Sequence, residues 1–280
     1  MQPILNATEL SSVLKENQKL VLIDARSGPN GRAKYEKEHL IGALHVDLDK
    51  DLADVKADAA QGGRHPLPEP DHFAELLGRL GIAPDSQVVV YDDMSGANAA
   101  SRFWWMLRAT GHDQVQVLDG GFQAAVAAGI PVSSAVERAR PVDPYPFKAW
   151  ELPIISMEEV AKAVKDPDYL VIDVRDAARY RGETEPIDLV AGHIPGAVNI
   201  PFQSNLTQNG AYLSPEALRE KYSQAIGERD PEHVVVHCGS GVTACHTALA
   251  MDYAGLGIPA LYVGSWSEWS RNDRPIGTGA

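Results

Sequence analysis

HVVVHCGSGVTACHTALAMDYAG (233–255) is the stretch from which the fold class can be read. A short β-branched run ends at His237, a glycine-containing turn follows, and the chain then takes on helical composition. Cys238 opens the turn, and Gly239, Ser240, Gly241, Val242 and Thr243 complete it. Two glycines let the backbone curl so that several N–H groups point inward, and the helix behind adds its positive end. Such a setting favours thiolate at neutral pH and suits a nucleophile. It also suits a persulfide, whose terminal sulfur is anionic and needs donors around it. The plainer reading of Cys238 is a small buried residue, which is common for free cysteine. Cys245 lies inside the helix and reads as core packing.

Outward from this turn, the chain repeats itself. LVLIDAR (20–26), HLIGALHVDL (39–48), VVVYDD (88–93) and VLDGGFQAAV (117–126) are followed, in the same order, by LVIDVRD (170–176), HIPGAVNIPF (193–202), VVVHCGSG (234–241) and YVGSWSEW (262–269). Short apolar runs alternate with amphipathic stretches such as DHFAELLGRLGI, where Asp71 reads as the N-cap and Gly81 as the stop. This alternation predicts an α/β fold of two tandem domains, each a mostly parallel sheet flanked by helices. The expected domains are 1–130 and 154–280. The proline-rich stretch 131–153 reads as a linker laid over the surface. In the first copy Asp92 stands where Cys238 stands in the second, and a carboxylate cannot carry sulfane sulfur, so the first domain reads as non-catalytic.

The composition narrows the partners. A formal net charge of −13 over 280 residues argues against nucleic acid, because phosphate contacts need a basic face. An anionic substrate is still possible, since local charge can oppose net charge. No run reaches the ~18 apolar residues of a membrane span, and the N-terminal MQPILNATELSSVLKENQKL carries no secretory pattern. The two cysteines make neither a disulfide framework nor a C-x-x-C motif, and no His/Cys cluster has zinc-ligand spacing. A reducing, cytoplasmic location is expected, with no metal and no cofactor.

The chain resembles the tandem-domain rhodanese sulfurtransferases over nearly its whole length. The D-x-R strands (Asp24 to Arg26, Asp173 to Arg175), HIPGA (193–197) with its degraded copy HLIGA (39–43), RFWWMLRATGH (102–112) and the glycine–aromatic turns near 120 and 264 carry the resemblance. The loop CGSGVT (238–243) is similar to that of the 3-mercaptopyruvate sulfurtransferases. Thiosulfate-specific rhodaneses of the vertebrate type carry basic residues where Gly239 and Ser240 stand here. The resemblance implies a double displacement. Cys238 takes sulfur from a small anionic donor as a persulfide, and a thiol, cyanide or a thiol-bearing protein accepts it.

The resemblance also implies a relay of Ser240 with His65 and Asp49, both expected from the first domain, in HPLP (65–68) and HVDLD (45–49). Gly239, Gly241, Val242 and Thr243 would line the donor's site with backbone groups. Arg179 matches an arginine that binds the donor's carboxylate. Ile187 and Asp188 stand where a second arginine usually follows, and Arg181 is the expected substitute. Two other classes fit less well. A cysteine-loop phosphatase needs an arginine at the end of the loop, where Thr243 and Ala244 stand. A non-catalytic binding module would not need Cys238.

Overall fold

Hydrophobic runs too short for helices become the strands of two parallel sheets. The computed structural model describes residues 1–17 and 19–279. The chain divides into two compact units. The first holds Met1–Asp54, Pro68–Glu151 and Gln208–Ala211, and the second holds Val55–Leu67, Leu152–Thr207 and Tyr212–Ala280.

In the first unit the sheet runs in the order Ile4–Leu5, Val115–Leu118, Gln87–Tyr91, Leu20–Asp24, Leu44–His45, with every pairing parallel. Val88, Val89 and Val90 are fully buried, as a central strand covered on both faces requires. The flanking helices include Ala7–Glu16, Pro70–Arg79, Ala99–Arg108 and Gly121–Ala127. Asp71 is not the cap of its helix. Glu69 takes that place, because Pro70 at the first turn needs no N–H partner and its φ already suits a helix. Gly81 stops the chain as expected, with a φ of +76°.

The stretch 131–151 groups with the first unit and is bonded along its helices. Backbone N–H groups of Val142, Tyr145 and Glu151 donate to the carbonyls of Gly78, Ala74 and Ala109. Phe147 and Trp150 join Phe73 in an aromatic cluster, with Phe73 packed edge-on to Phe147. Proline supplies the extended backbone, and the aromatics bind it to the helices.

In the second unit the order is Ala260–Leu261, Val234–His237, Leu170–Asp173, Val198–Asn199, again parallel throughout. Helices Met157–Ala163, Pro215–Ile226, Thr243–Tyr253 and Ser265–Trp269 pack around it. His237 stands opposite Asp173, so the two central strands end side by side. Cys238 is the next residue, at the carboxyl edge where open α/β sheets bind ligands.

The repeat seen in the sequence recurs in detailed geometry. Arg26 forks onto Asp24 and reaches the Glu38 carbonyl at 2.6 Å. Arg175 forks onto Asp173 and reaches the Gly192 carbonyl, also at 2.6 Å. Tyr35 stacks on His39 in one unit and Tyr180 on His193 in the other, with ring centroids 4.1 and 3.9 Å apart. Among the described residues no helix is long and apolar enough to cross a membrane.

Candidate active site

The cysteine turn is held by backbone and hydroxyl bonds. The Cys238 N–H donates to Ser265 Oγ, and its carbonyl accepts from the Trp266 N–H. The Gly239 carbonyl accepts from the Ser267 N–H. Ser265 has a φ of 54°, an uncommon value outside glycine, and its hydroxyl is held by the Tyr262 carbonyl at 2.8 Å. Gly241 has a φ of +73°, and a Cβ there would sit 2.5 Å from the Val263 carbonyl oxygen. Only glycine fits that position. Gly239 has no such φ. A Cβ there would meet the end of the Arg64 side chain, with Nη2 at 2.8 Å.

Cys238 is 2 % exposed, and the Ser240 N–H points at its Sγ from 3.4 Å. The next helix, Thr243–Tyr253, starts at Val242 with its amino end toward the turn. The sulfur therefore lies beside the Ser240 N–H, close in sequence to the amino end of that helix. Ser240 Oγ lies 2.8 Å from His65 Nδ1. His237, just before the cysteine, is fully buried 3.9 Å from Asp173, and burial pushes its imidazole down, toward the neutral form. Cys245 is buried in the helix, and its thiol donates to the Gly241 carbonyl. Both cysteines are free.

Around Gly239 lies a cluster of charges. Asp188, its side chain fully buried, accepts from Arg64 Nε at 3.1 Å, Arg271 Nη1 at 3.1 Å and Arg179 Nη2 at 3.3 Å. Arg179 also binds Glu185, at 2.7 and 3.1 Å. Glu185 in turn meets Arg175. Four guanidiniums (Arg64, Arg175, Arg179, Arg271) face three carboxylates (Asp173, Glu185, Asp188), which leaves one positive charge in excess.

The structure brings together Cys238, Gly239, Ser240, Gly241, Val242, Thr243, His65 and Arg179. It does not bring Arg181 to them. That guanidinium pairs with Glu183 two residues away and is 41 % exposed, because the short helix Ala177–Tyr180 turns it outward. His65 belongs to the second unit, not the first, since Val55–Leu67 packs there: Gly62 and Arg64 donate their N–H groups to Glu268 and Ser267. Asp49 belongs to the first unit, in the short helix Leu48–Asp51. Arg64, Asp188 and Arg271 have no motif of their own. Their signals in the sequence are that Arg64 adjoins His65 and that Asp188 stands where a second arginine usually follows. Among the described residues no group of three or more His, Cys, Asp or Glu could hold a metal ion.

These features define a tandem α/β protein with a buried free cysteine at the start of a glycine-containing strand–turn–helix. The Rhodanese-like domain family matches the chain twice, at residues 6–128 and 156–272. A probable 3-mercaptopyruvate sulfurtransferase of Pseudomonas aeruginosa is 42% identical over 284 residues, covering 99% of this chain and 98% of its own length. The thiosulfate sulfurtransferase of Rattus norvegicus is 38% identical over 250 residues, covering 87% and 81%. The structure of the Leishmania major 3-mercaptopyruvate sulfurtransferase superposes with a TM-score of 0.84 at 34% identity, across 98% of this chain and 75% of that one. The chain belongs to the rhodanese family and is a sulfurtransferase.

Proposed function

We propose that the enzyme moves sulfane sulfur from 3-mercaptopyruvate to a thiol or to cyanide through a persulfide on Cys238. In the first half, the Cys238 thiolate attacks the donor's sulfur. An Sγ–S bond forms, the S–C3 bond breaks, and its electron pair passes into the carbonyl as the enolate of pyruvate. A proton then converts the enolate to pyruvate, and Ser240 backed by His65 is the proposed source. In the second half the acceptor attacks the outer sulfur and Cys238 leaves as thiolate. A thiol becomes a persulfide and cyanide becomes thiocyanate. A reducing, cytoplasmic location suits both the free thiol and its acceptors.

The observation that carries the choice of donor is where the cations lie. The turn 238–243 itself carries only backbone donors and two hydroxyls, and the cations over Gly239, Arg64 and Arg179, are supplied from outside the turn. Thiosulfate, a dianion, gains most from cations at the sulfur-accepting atom. 3-Mercaptopyruvate carries its carboxylate away from its sulfur and needs a cation at a distance. Thiosulfate is the second reading, supported by the likeness to the rat enzyme. Steady-state turnover of the two donors, side by side, is the test. The expected result is a higher kcat/KM for 3-mercaptopyruvate, and faster turnover of thiosulfate would reverse the assignment. Intact-mass measurement after donor treatment should show one added sulfur in the wild type and none in Cys238→Ser.

A further inference from the structure

We infer that Lys221 is a nucleophilic amine of the second unit, a modification site whose Nζ takes up activated acyl groups such as those of acyl phosphates. Three observations carry it. First, Lys221 is half-buried where the helix Pro215–Ile226 meets the short 3₁₀ turn Phe202–Asn205, and its partners there are neutral oxygens. Nζ lies 2.6 Å from Asn205 Oδ1 and within hydrogen-bond reach of Ser204 Oγ. Second, among the described residues no carboxylate pairs with it, whereas Lys19, Lys34 and Lys50 each sit beside an aspartate. Third, the place is built and open on one side. Asn205 is fully buried, its Oδ1 also accepts from the Tyr222 hydroxyl at 2.8 Å, and its carbonyl accepts from the Leu213 N–H. Ser204, on the other flank of Nζ, is exposed.

An ammonium that loses water without gaining a counter-ion is destabilised, and the neutral amine is not. The neutral form is also well paired here. It donates to Asn205 Oδ1, and the Ser204 hydroxyl, which otherwise donates to the Pro201 carbonyl, can turn and donate to its lone pair. Burial accordingly pushes the amine down to about 8. The Tyr222 ring lies 4.9 Å from Nζ, but its attraction for a cation is smaller than the hydration that burial removes. The other titratable groups nearby hold different partners: the Tyr222 hydroxyl is bonded to Asn205, and His246, on the helix Thr243–Tyr253, is bonded to Tyr212. Glu216, Arg219 and Glu220 share the helix of Lys221 and form no ion pair with it. In the reaction the neutral Nζ attacks the acyl carbon. An N–C bond forms, the C–O bond to phosphate breaks, phosphate leaves with the electron pair, and the surplus amine proton goes to solvent.

The test is timed exposure of the intact chain to acetyl phosphate between pH 6.5 and 9.5, with acetylation at each lysine read by peptide mass spectrometry. At pH 7.5 an amine titrating near 8 is neutral in about one molecule in four, and an ordinary lysine in about one in a thousand. Lower basicity and half-burial return part of that advantage, so Lys221 should react about tenfold faster than Lys50, which is 81% exposed. Its rate should level off above pH 8 while that of Lys50 keeps rising. Ser204→Asp, a change at an exposed position, places a carboxylate beside the ammonium and should slow Lys221 about tenfold without touching Lys50. Lys221 reacting no faster than Lys50, a rate still climbing at pH 9.5, or a Ser204→Asp chain acetylated at Lys221 like the wild type would each overturn the inference.

Discussion

At the scale of single residues, the bond between His65 and Ser240 makes the most specific claim. The 2.8 Å bond lets the two side chains pass a proton between them, so as members of a relay they should behave as one unit. His65→Ala and Ser240→Ala should each lower kcat/KM by about a hundredfold or more, and the double variant should be little worse than either. Steady-state kinetics on the three proteins decides this, and full activity in His65→Ala would remove the relay. Cys245→Ser should keep most activity, since its thiol is used up on a helix-turn carbonyl. Glu185 supplies a pH signature. Burial raises its carboxyl, but the guanidinium of Arg179 and the N–H groups of Asp188 and Ile187 outweigh this and hold it below its ordinary range. A depressed carboxylate contributes stability that is complete above the unfolded value of about 4.3 and is lost as pH falls through the lower folded value. Urea melts at successive pH values should therefore show stability dropping below about pH 4.3, with a shallower drop in Glu185→Gln.

At the scale of elements, the two units show the same strand–turn–helix with different occupants. In the first, Asp92 fills its own turn: its carboxylate accepts N–H bonds from Met94, Gly96, Asn98 and Ala100 at 2.8–3.2 Å. A turn that binds a carboxylate with four amides is a turn built for an anion, which supports the idea that its sister accommodates a persulfide. Asp92→Ala should leave those buried donors unpaired and cost about 3 kcal/mol or more in chemical denaturation. Stability unchanged from wild type would show the carboxylate to be dispensable. Much at this scale was legible in the sequence. VVVYD and VVVHC read as strands because buried parallel strands are continuous apolar runs, and Gly81 read as a stop because only a left-handed residue fits there. What stayed hidden were long-range choices. Arg64 and Asp188 are 124 residues apart, and nothing local to either announces the pair. The prolines of 131–153 suggested a linker laid over the surface, while the aromatics that tie the segment down could be understood only once Phe73 was in place.

At the scale of the whole molecule, the order of residues in the chain and the composition of the units do not coincide. The unit that holds Cys238 draws Val55–Leu67 from the first half of the sequence. That segment carries Arg64 and His65 and is fastened at four points: Ala60 to Asn272, Gly62 to Glu268, Arg64 to Ser267, and His65 to Ser240. A fragment covering 152–280 keeps the sheet of the second unit, the cysteine turn and Arg179. It lacks one side of the cysteine's surroundings. Such a fragment, if circular dichroism shows it folded, should still accept sulfur on Cys238 from a reactive donor at high concentration. Its kcat/KM for 3-mercaptopyruvate should nevertheless fall by about a hundredfold or more, because it loses the histidine that partners Ser240. Adding residues 1–151 as a separate chain should restore activity in proportion to the complex formed. A folded fragment as active as the intact chain would show that the segment 55–67 packs against the site without taking part in its chemistry.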